Sequence, residues 1–279
     1  MRSLLLLSLV FFSATALPFN KETIERVLQK PSDLAGSRKE FLEISSNAIS
    51  HNTAELIFEG SKAQPGQFPI QAFISYNTSS GDFYRCGGTI ISTTHILTAA
   101  YCTEGMIAPA IVMVGAVNTQ DVSANAQWRN IHSIFSHPQW DAKDPDYNND
   151  IAIVEINPPV ILNTDVQIAK IVADDDDLLK VPTAYISGYG VYDYDNGTAL
   201  ISNDLLYTVV HLYDFAYCND SWDGTLTDKQ ICAGAANRGI GSGDSGGPIQ
   251  VSYNKELYQI GLTSYFAILR FHRYIDFQS

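Results

Sequence analysis

Short apolar runs separated by turn-forming residues make up the chain from residue 57 onward. Nine of these runs are rich in β-branched or aromatic residues and predict strands: Ile70–Tyr76, Thr89–Leu97, Ile111–Val117, Ile131–Phe135, Ile151–Ile156, Ala184–Ser187, Leu205–Leu212, Ile249–Tyr253 and Leu257–Ser264. Gly, Asn, Asp and Pro occupy the gaps, and no long amphipathic helix interrupts the series. The pattern alone therefore predicts an all-β sandwich or a pair of β-barrels.

The first 56 residues have a different pattern. An apolar run from Leu4 to Phe12 precedes the small residues Ala14-Thr15-Ala16. This order is typical of a secretory signal peptide, and the run is too short to span a bilayer, which needs about 20 apolar residues. We therefore expect a secreted protein with a signal peptide at 1–16, a pro-segment at 17–56 and a main domain at 57–279.

Charge restricts the classes of partner. The formal net charge is −13, with 17 Lys and Arg against 30 Asp and Glu. Nucleic acids and anionic membranes are bound through clustered positive charge, so neither is expected as a partner. No cofactor is indicated. The acidic run Asp174–Asp177 lacks the spacing of an EF-hand calcium loop and is interpreted as a solvated loop.

Cysteine and asparagine motifs agree with a secreted protein. The chain has an even set of cysteines, Cys86, Cys102, Cys218 and Cys232. In an oxidising compartment an even set favours two disulfides. The alternative is a zinc site, which the absence of any Cys-x-x-Cys pair disfavours, so no metal is expected. Candidate glycosylation sequons, each expected in a turn, begin at Asn77, Asn196 and Asn219.

Several motifs occur in an order that characterises one protein family. They are Ile57-Phe58-Glu59-Gly60, Cys86-Gly87-Gly88-Thr89, Leu97-Thr98-Ala99-Ala100-Tyr101-Cys102, Asn149-Asp150-Ile151-Ala152, Ser187-Gly188-Tyr189-Gly190, Ile231-Cys232-Ala233-Gly234 and Gly243-Asp244-Ser245-Gly246-Gly247-Pro248. From Ile57 to about Tyr265 the chain resembles the trypsin/chymotrypsin family of secreted serine proteases. The resemblance implies two antiparallel Greek-key β-barrels with an active-site cleft between them.

The resemblance also implies roles for single residues. Ser245 would be the nucleophile, and the backbone N–H groups of Gly243 and Ser245 would form the oxyanion hole. Asp150 would orient the catalytic base. Ser264 would bind this aspartate and line the substrate cleft.

Activation and disulfide pairing follow from the same resemblance. Asp244 would become the buried partner of the ammonium group released at Ile57 when the pro-segment is cut. The residue before the cut is Leu56, so a trypsin-like activator is not expected to act there. The family's bridges would pair Cys86 with Cys102 and Cys218 with Cys232.

One departure from the family changes the chemistry. Tyr101 stands where the catalytic histidine belongs. A general base needs a pKa near the working pH, and histidine titrates at about 6.5, whereas tyrosine titrates at about 10 and is a neutral phenol at neutral pH. Five of the six histidines of the chain are expected outside the cleft: His95, His132, His137, His211 and His272. The triad is therefore expected to be broken.

The substrate pocket and the C-terminus depart as well. Gly239 occupies the position where trypsin-like members carry the acidic residue that selects Arg or Lys, so that preference is not expected. Gly241 replaces a cysteine that braces the pocket, and Phe266 is expected to narrow its mouth. Tyr274-Ile275-Asp276-Phe277 resembles the start of the family's C-terminal helix. The second barrel is therefore expected to be truncated, with one wall strand missing or shortened.

These features lead to one main hypothesis and two alternatives. The chain is expected to be a monomeric serine protease homologue with little or no peptidase activity. It would bind a protein or peptide in its cleft, namely an inhibitor, an uncleaved substrate or an active protease relative. The alternatives are an active serine endopeptidase of non-tryptic specificity with Ser245 as nucleophile, and a degraded gene copy whose product does not fold.

Overall fold

The computed structural model describes residues 60–144, 146–196, 198–222, 224–235, 238–269 and 272–278. For Ser221, 266–269 and 272–278 it describes the backbone alone. The expected signal peptide, the pro-segment and Ile57 lie outside the described residues, as does the side chain of Phe266. Within the described part of the chain, no helix has both the length and the apolar character that crossing a membrane requires.

Strands account for nearly all regular structure in the described residues. They are β1 (Ser61–Lys62), β2 (Gln71–Thr78), β3 (Phe83–Ile90), β4 (His95–Thr98), β5 (Met106–Val114), β6 (Gln127–Ser136), β7 (Ala152–Asn157), β8 (Thr183–Gly188), β9 (Val191–Asp195), β10 (Thr198–Ile201), β11 (Leu206–Tyr213), β12 (Gln230–Ala235), β13 (Pro248–Tyr253), β14 (Glu256–Leu269) and β15 (His272–Gln278). A 3-10 helix covers Tyr101–Thr103, and α1 covers Phe215–Ser221. The predicted all-β class is confirmed.

The first barrel closes in the order β2-β3-β4-β7-β6-β5. Its neighbouring strands are antiparallel, and successive side chains alternate between the interior and the exterior. Buried aliphatic side chains fill the interior, among them Ile74, Ile96, Val112 and Val154. Because this packing fixes β4 against β7, it also fixes the residues that follow β4 and precede β7.

The second barrel consists of β8, β11, β12, β15, β14 and β13. Each strand is antiparallel to the next, and β13 pairs with β8, so the ring closes. The short β1 pairs with β11 from outside the ring. Ala184, Ile186, Leu206 and Ile249 are fully or almost fully buried in its core.

The end of the chain corrects one prediction. Tyr274–Phe277 resembles a helix start in sequence, but the structure places it in β15. There Ile275 pairs with Ala233 of β12 and with Phe266 of β14. Without this strand both neighbours would present an unpaired edge of N–H and C=O groups. The second barrel is therefore closed, although few residues follow Tyr265.

Other elements also differ from the predicted strands. The predicted strand Thr89–Leu97 is two strands, because the chain turns between Ile90 and His95 and the N–H groups of Ile91 and Ser92 both donate to the carbonyl of His95. The hairpin of β9 and β10 was not predicted, since its residues are mostly exposed and polar or aromatic. Strand β12 was not predicted because Cys-Ala-Gly-Ala gives no apolar alternation.

Both predicted disulfide pairings are confirmed. Cys86–Cys102 joins β3 to the 3-10 helix that begins at Tyr101. Cys218–Cys232 joins α1 to β12. The N-cap of α1 is Asp214, whose side chain accepts the N–H of Tyr217 at 2.9 Å. Each bridge therefore ties a short helical segment to one barrel.

The backbones of the two barrels are in close contact at Gly87 and Gly247. At Gly87 in β3, a Cβ atom would lie 2.6 Å from the Cα of Gly247. The N–H of Gly87 donates to the carbonyl of Ser245 at 2.8 Å. A shared cluster of buried side chains packs nearby, with Phe73, Met113 and Trp128 from the first barrel and Tyr189 and Leu205 beside them. This contact holds the segment around Ser245 against the first barrel.

Candidate active site

Tyr101 and Asp150 lie side by side because their strands are paired. Thr98, the last residue of β4, lies opposite Ala152, the first residue of β7. Tyr101 follows the one strand and Asp150 precedes the other. The backbone N–H of Tyr101 donates to Asp150 Oδ1 at 2.7 Å. Asp150 is fully buried, whereas Tyr101 is 43% exposed.

The groups that donate hydrogen bonds to the Asp150 carboxylate are all uncharged. Ser264 Oγ donates to Asp150 Oδ2 at 2.5 Å. Burial raises the pKa of Asp150 to about 6, against the lowering effect of hydrogen bonds from Ser264 and from the backbone N–H groups of Tyr101 and Ala100. The nearby Glu104 raises this pKa further. The structure thus brings together Tyr101, Asp150 and Ser264, three residues singled out in the sequence.

The Tyr101 phenol is uncharged at neutral pH. Its pKa is raised above the ordinary tyrosine value, mainly by burial and also by Tyr84, Tyr147, Glu104 and Asp150. Among the described residues, no hydrogen bond joins its hydroxyl to Asp150 or to Ser245. A neutral phenol is a poor proton acceptor, so this side chain does not supply a base.

Ser245 sits in a loop whose shape depends on Gly243. Gly243 has φ +99°, a left-handed value that suits glycine. Among the described residues, the N–H groups of Gly243 and Ser245 donate to no protein acceptor. Ser245 Oγ donates to the carbonyl of Ser264 at 3.4 Å. Both N–H groups therefore lack a protein acceptor in the described part of the chain, as the predicted oxyanion hole requires.

Asp244 fixes the conformation of the same loop through two hydrogen bonds. It is buried, and its Oδ1 accepts the N–H of Gly190 while its Oδ2 accepts the N–H of Gly241, both at 2.8 Å. Burial raises its pKa to about 6, and the two N–H groups and the charge of Arg85 act in the opposite direction. The bond from Gly190 ties the loop to the turn after β8, and the bond from Gly241 ties it to the segment that leads into the loop.

An aromatic row, defined here as Tyr101, Tyr147, Tyr265 and Trp222, starts at the residue whose backbone N–H binds Asp150. The centroids of the Tyr101 and Tyr147 rings lie 6.2 Å apart, edge to face. Tyr147 stacks on Tyr265 at 5.2 Å, and Tyr265 meets Trp222 edge to face at 5.1 Å. No sequence motif singles out this row. The only signal is that Tyr147 precedes Asp150 closely and Tyr265 follows Ser264 directly.

Packing around Gly241 explains why this position, a cysteine in the family, is a glycine in this chain. Gly241 packs against Val191, and a Cβ at position 241 would collide with the carbonyl oxygen of Val191. There is no space for a cysteine at this position. Gly239 is buried in the segment 238–241 that leads into the Ser245 loop.

The three sequons do not all lie in turns, which corrects that expectation. Asn196 is exposed in the turn between β9 and β10. Asn77 lies at the end of β2, where it pairs with Phe83. Asn219 lies in α1, and its Oδ1 accepts the N–H of Leu226 at 3.1 Å. Among these three asparagines, only Asn196 lies in a turn and is exposed.

The side chains of His95 and His137 bind residues close to them in the chain, and neither binds Ser245. His95 Nδ1 lies 3.0 Å from Ser92 Oγ and 2.9 Å from Thr94 Oγ1. His137 Nδ1 accepts the N–H of Gln139 at 3.2 Å, and burial lowers its pKa. His132 lies on β6 and His211 on β11, both exposed. For His272 the structure gives only its backbone position, in β15.

Comparison with known proteins places this site in a family. The family model described as Trypsin matches residues 57–268. Chymotrypsin-like elastase family member 1 of Canis lupus familiaris is 28% identical over 213 residues, which cover 75% of this chain and 81% of that protein. Fibrinolytic enzyme, isozyme C, of Lumbricus rubellus is 30% identical over 200 residues, 69% of this chain and 81% of that protein.

A third relative is coagulation factor IX of Cavia porcellus, which is 35% identical over 196 residues, 68% of this chain and 65% of that protein. The family match covers most of the chain and includes Asp150, Ser245 and Ser264. The closed six-stranded barrel and the two disulfides agree with it. The chain therefore belongs to the trypsin family of serine proteases.

Proposed function

We propose that this chain is a secreted serine protease homologue in which proteolysis is absent or severely impaired. It acts by binding a protein or peptide in its cleft, as a monomer, without cleaving it. The occupant is a protease inhibitor, an uncleaved substrate or an active protease relative. We further propose that Tyr101 occupies the position of the catalytic histidine.

One observation supports the proposal: the residue that follows β4 and binds Asp150 is a tyrosine, so its side chain is a phenol and not an imidazole. Asp150 binds the backbone N–H of Tyr101 at 2.7 Å, so the carboxylate that would orient a base meets the main chain of Tyr101. The raised pKa of Tyr101 keeps its hydroxyl protonated at neutral pH. Loss of the base histidine from a serine protease costs about 10⁶-fold in kcat, or about 8 kcal/mol of transition-state stabilisation.

The aromatic row supports binding as the remaining activity. Tyr and Trp provide large, rigid contact area at a low cost in conformational entropy. The row runs beside Asp150 and Ser264, where an extended peptide would lie in a protease cleft. A peptide held there with no base nearby is bound and released intact.

A second candidate function is supported by a different observation. The Ser245 loop keeps two backbone N–H groups without protein acceptors in the described part of the chain, and Gly243 keeps φ +99°. This geometry supports an active serine endopeptidase of non-tryptic specificity that uses a proton acceptor other than Tyr101. Such an enzyme would need Ser245 to be activated.

The first test compares the wild type with the Tyr101→His variant, each carrying a cleavable sequence before Ile57. Both are treated with a fluorophosphonate probe and with a mixed peptide library. We expect the wild type to leave the library intact and to remain unlabelled. The Tyr101→His variant should gain labelling at Ser245, because an imidazole restores a base with a pKa near neutrality.

Controls separate the outcomes. Tyr101→Phe removes the hydroxyl and should remain as silent as the wild type, and Ser245→Ala should abolish any labelling. Wild-type labelling that Ser245→Ala removes would establish the active endopeptidase instead. Binding is tested by mass spectrometry of library peptides retained on the immobilised wild type, where Tyr265→Ala should reduce retention and the retained peptides should be uncut.

A further inference from the structure

Arg85 brings a positive charge into the contact between the barrels. It lies in β3 next to Cys86, and its Cζ is 5.7 Å from the centre of the Phe73 ring and 5.9 Å from that of Phe83. Its Nη1 donates to the carbonyls of Ser202 at 3.2 Å and Tyr189 at 3.4 Å. Burial lowers the pKa of Arg85 to about 10, so the guanidinium remains charged at neutral pH.

One peptide group connects this charge to Asp244. The carbonyl of Tyr189 and the N–H of Gly190 belong to the same peptide group. Arg85 donates to the carbonyl, and the N–H donates to Asp244 Oδ1 at 2.8 Å. A donor on the carbonyl polarises the peptide and strengthens its N–H as a donor to the carboxylate. The two hydrogen bonds therefore support each other.

Arg85 also packs on the loop itself. A Cβ added at Gly243 would lie 3.0 Å from Arg85 Cγ and 3.1 Å from the Cα of Gly190. The arginine stem, the turn after β8 and the Ser245 loop thus meet at one point. The charge of Arg85 stabilises the ionised form of Asp244, which burial otherwise disfavours.

We propose that Arg85 is a positioning residue that holds Asp244, and with it the loop from Gly243 to Ser245, in the formed geometry before any new N-terminus is made at Ile57. In this chain the positive charge that Asp244 needs is built into β3 and acts through the Tyr189–Gly190 peptide group. Cleavage before Ile57 is then not required to form the oxyanion loop. This holds whether or not Tyr101 abolishes hydrolysis.

The test uses the uncleaved protein and urea unfolding at pH 4.5 and pH 7.5. Asp244 is mostly neutral at the lower pH and ionised at the higher one, because its pKa is about 6. Arg85→Gln should therefore lower the folding equilibrium constant by about tenfold more at pH 7.5 than at pH 4.5. Arg85→Lys keeps the charge and should keep most of the wild-type pH profile.

Two further variants isolate the effect. In an Asp244→Asn background the pH dependence of the Arg85→Gln cost should vanish. Arg129→Gln is the matched control, because Arg129 bonds to the carbonyl of Pro159 on the outside of the first barrel. An equal cost of Arg85→Gln at both pH values, or a pH dependence that persists with Asp244→Asn, overturns the proposal.

A second measurement needs no variant. Hydrogen exchange of the Gly190 and Gly241 amides, which bind Asp244, is compared in the uncleaved protein and in the protein cut before Ile57. We expect both amides to be protected before the cut and to change by less than about threefold after it. Amides that become protected only after cleavage would show that the new N-terminus forms the loop, and would overturn the proposal even if Arg85→Gln does not fold.

Discussion

Asp150 is a buried carboxylate whose partners are two backbone N–H groups and the hydroxyl of Ser264. The hydroxyl bond is short, at 2.5 Å, and hydrogen bonds to charged groups contribute about 1.5–3 kcal/mol. Ser264→Ala should therefore lower the free energy of unfolding by about 2 kcal/mol at pH 7.5. Urea unfolding measures this loss.

Ser252 provides the control for that substitution. It is exposed on β13, so Ser252→Ala should change the free energy of unfolding by less than about 0.5 kcal/mol. Equal stability of the Ser264→Ala variant and the wild type would mean that the Asp150–Ser264 contact contributes nothing to stability.

At the residue scale, the motifs identified candidate residues that lie together in the structure, but not the residues around them. Asp150, Ser245 and Ser264 come from short motifs, and the structure brings them together. Arg85 and the aromatic row were missed because their contacts join distant segments, as in the bond from Arg85 to the carbonyl of Tyr189. A local pattern does not carry that information.

At the scale of elements, apolar alternation predicted the strands of both cores. It failed where side chains are small, as in β12, or exposed, as in β9 and β10. It also joined β3 to β4, since a four-residue turn of Ile, Ser and Thr has the composition of a strand. The family resemblance wrongly indicated the start of a helix in β15, whose conformation is set by pairing with β12 and β14.

Gly87 of β3 faces the Ser245 loop, and this contact leads to a prediction about packing between the two elements. A Cβ at position 87 would lie 2.6 Å from Gly247 Cα and 3.2 Å from the carbonyl oxygen of Asp244, and these backbone atoms have little freedom to move. Gly87→Ala should cost about 3 kcal/mol of unfolding free energy, the upper part of the overpacking range. Thermal and urea unfolding measure the loss.

Gly81 gives the comparison for this glycine. It lies in the turn between β2 and β3 with φ +87°, and a Cβ there would meet nothing within 4 Å. Gly81→Ala therefore has only the backbone cost of a left-handed residue, about 1 kcal/mol. A Gly87→Ala variant no less stable than Gly81→Ala would refute the close contact between the barrels.

At the scale of the whole molecule, two buried carboxylates between the barrels favour a stability that falls as the pH rises. Asp150 and Asp244 each have a pKa of about 6, raised by burial from the ordinary 3.8. A raised folded-state pKa stabilises the fold below pH 4, and this contribution is lost as the pH rises through 6. Each carboxylate contributes at most about 3 kcal/mol to that loss.

Urea unfolding between pH 4 and pH 7 measures this dependence. Stability should fall with rising pH, and Asp150→Asn and Asp244→Asn should each make the profile flatter. The net charge of −13 also favours unfolding at higher pH, but both variants change it by only one unit. A wild-type profile that rises with pH, or variants with an unchanged slope, would contradict the assignment of these pKa values.

The aromatic row also gives the molecule an optical reporter. The chain has three tryptophans: Trp128 is buried in the cluster shared by the barrels, Trp222 belongs to the row, and the ring of Trp140 lies 6.0 Å from that of Tyr147. A ligand that covers the row should change the emission of Trp140 and Trp222, whereas the buried Trp128 should contribute a constant background. Intrinsic fluorescence should therefore report occupancy of the aromatic row, in a protein whose binding would release no product to assay.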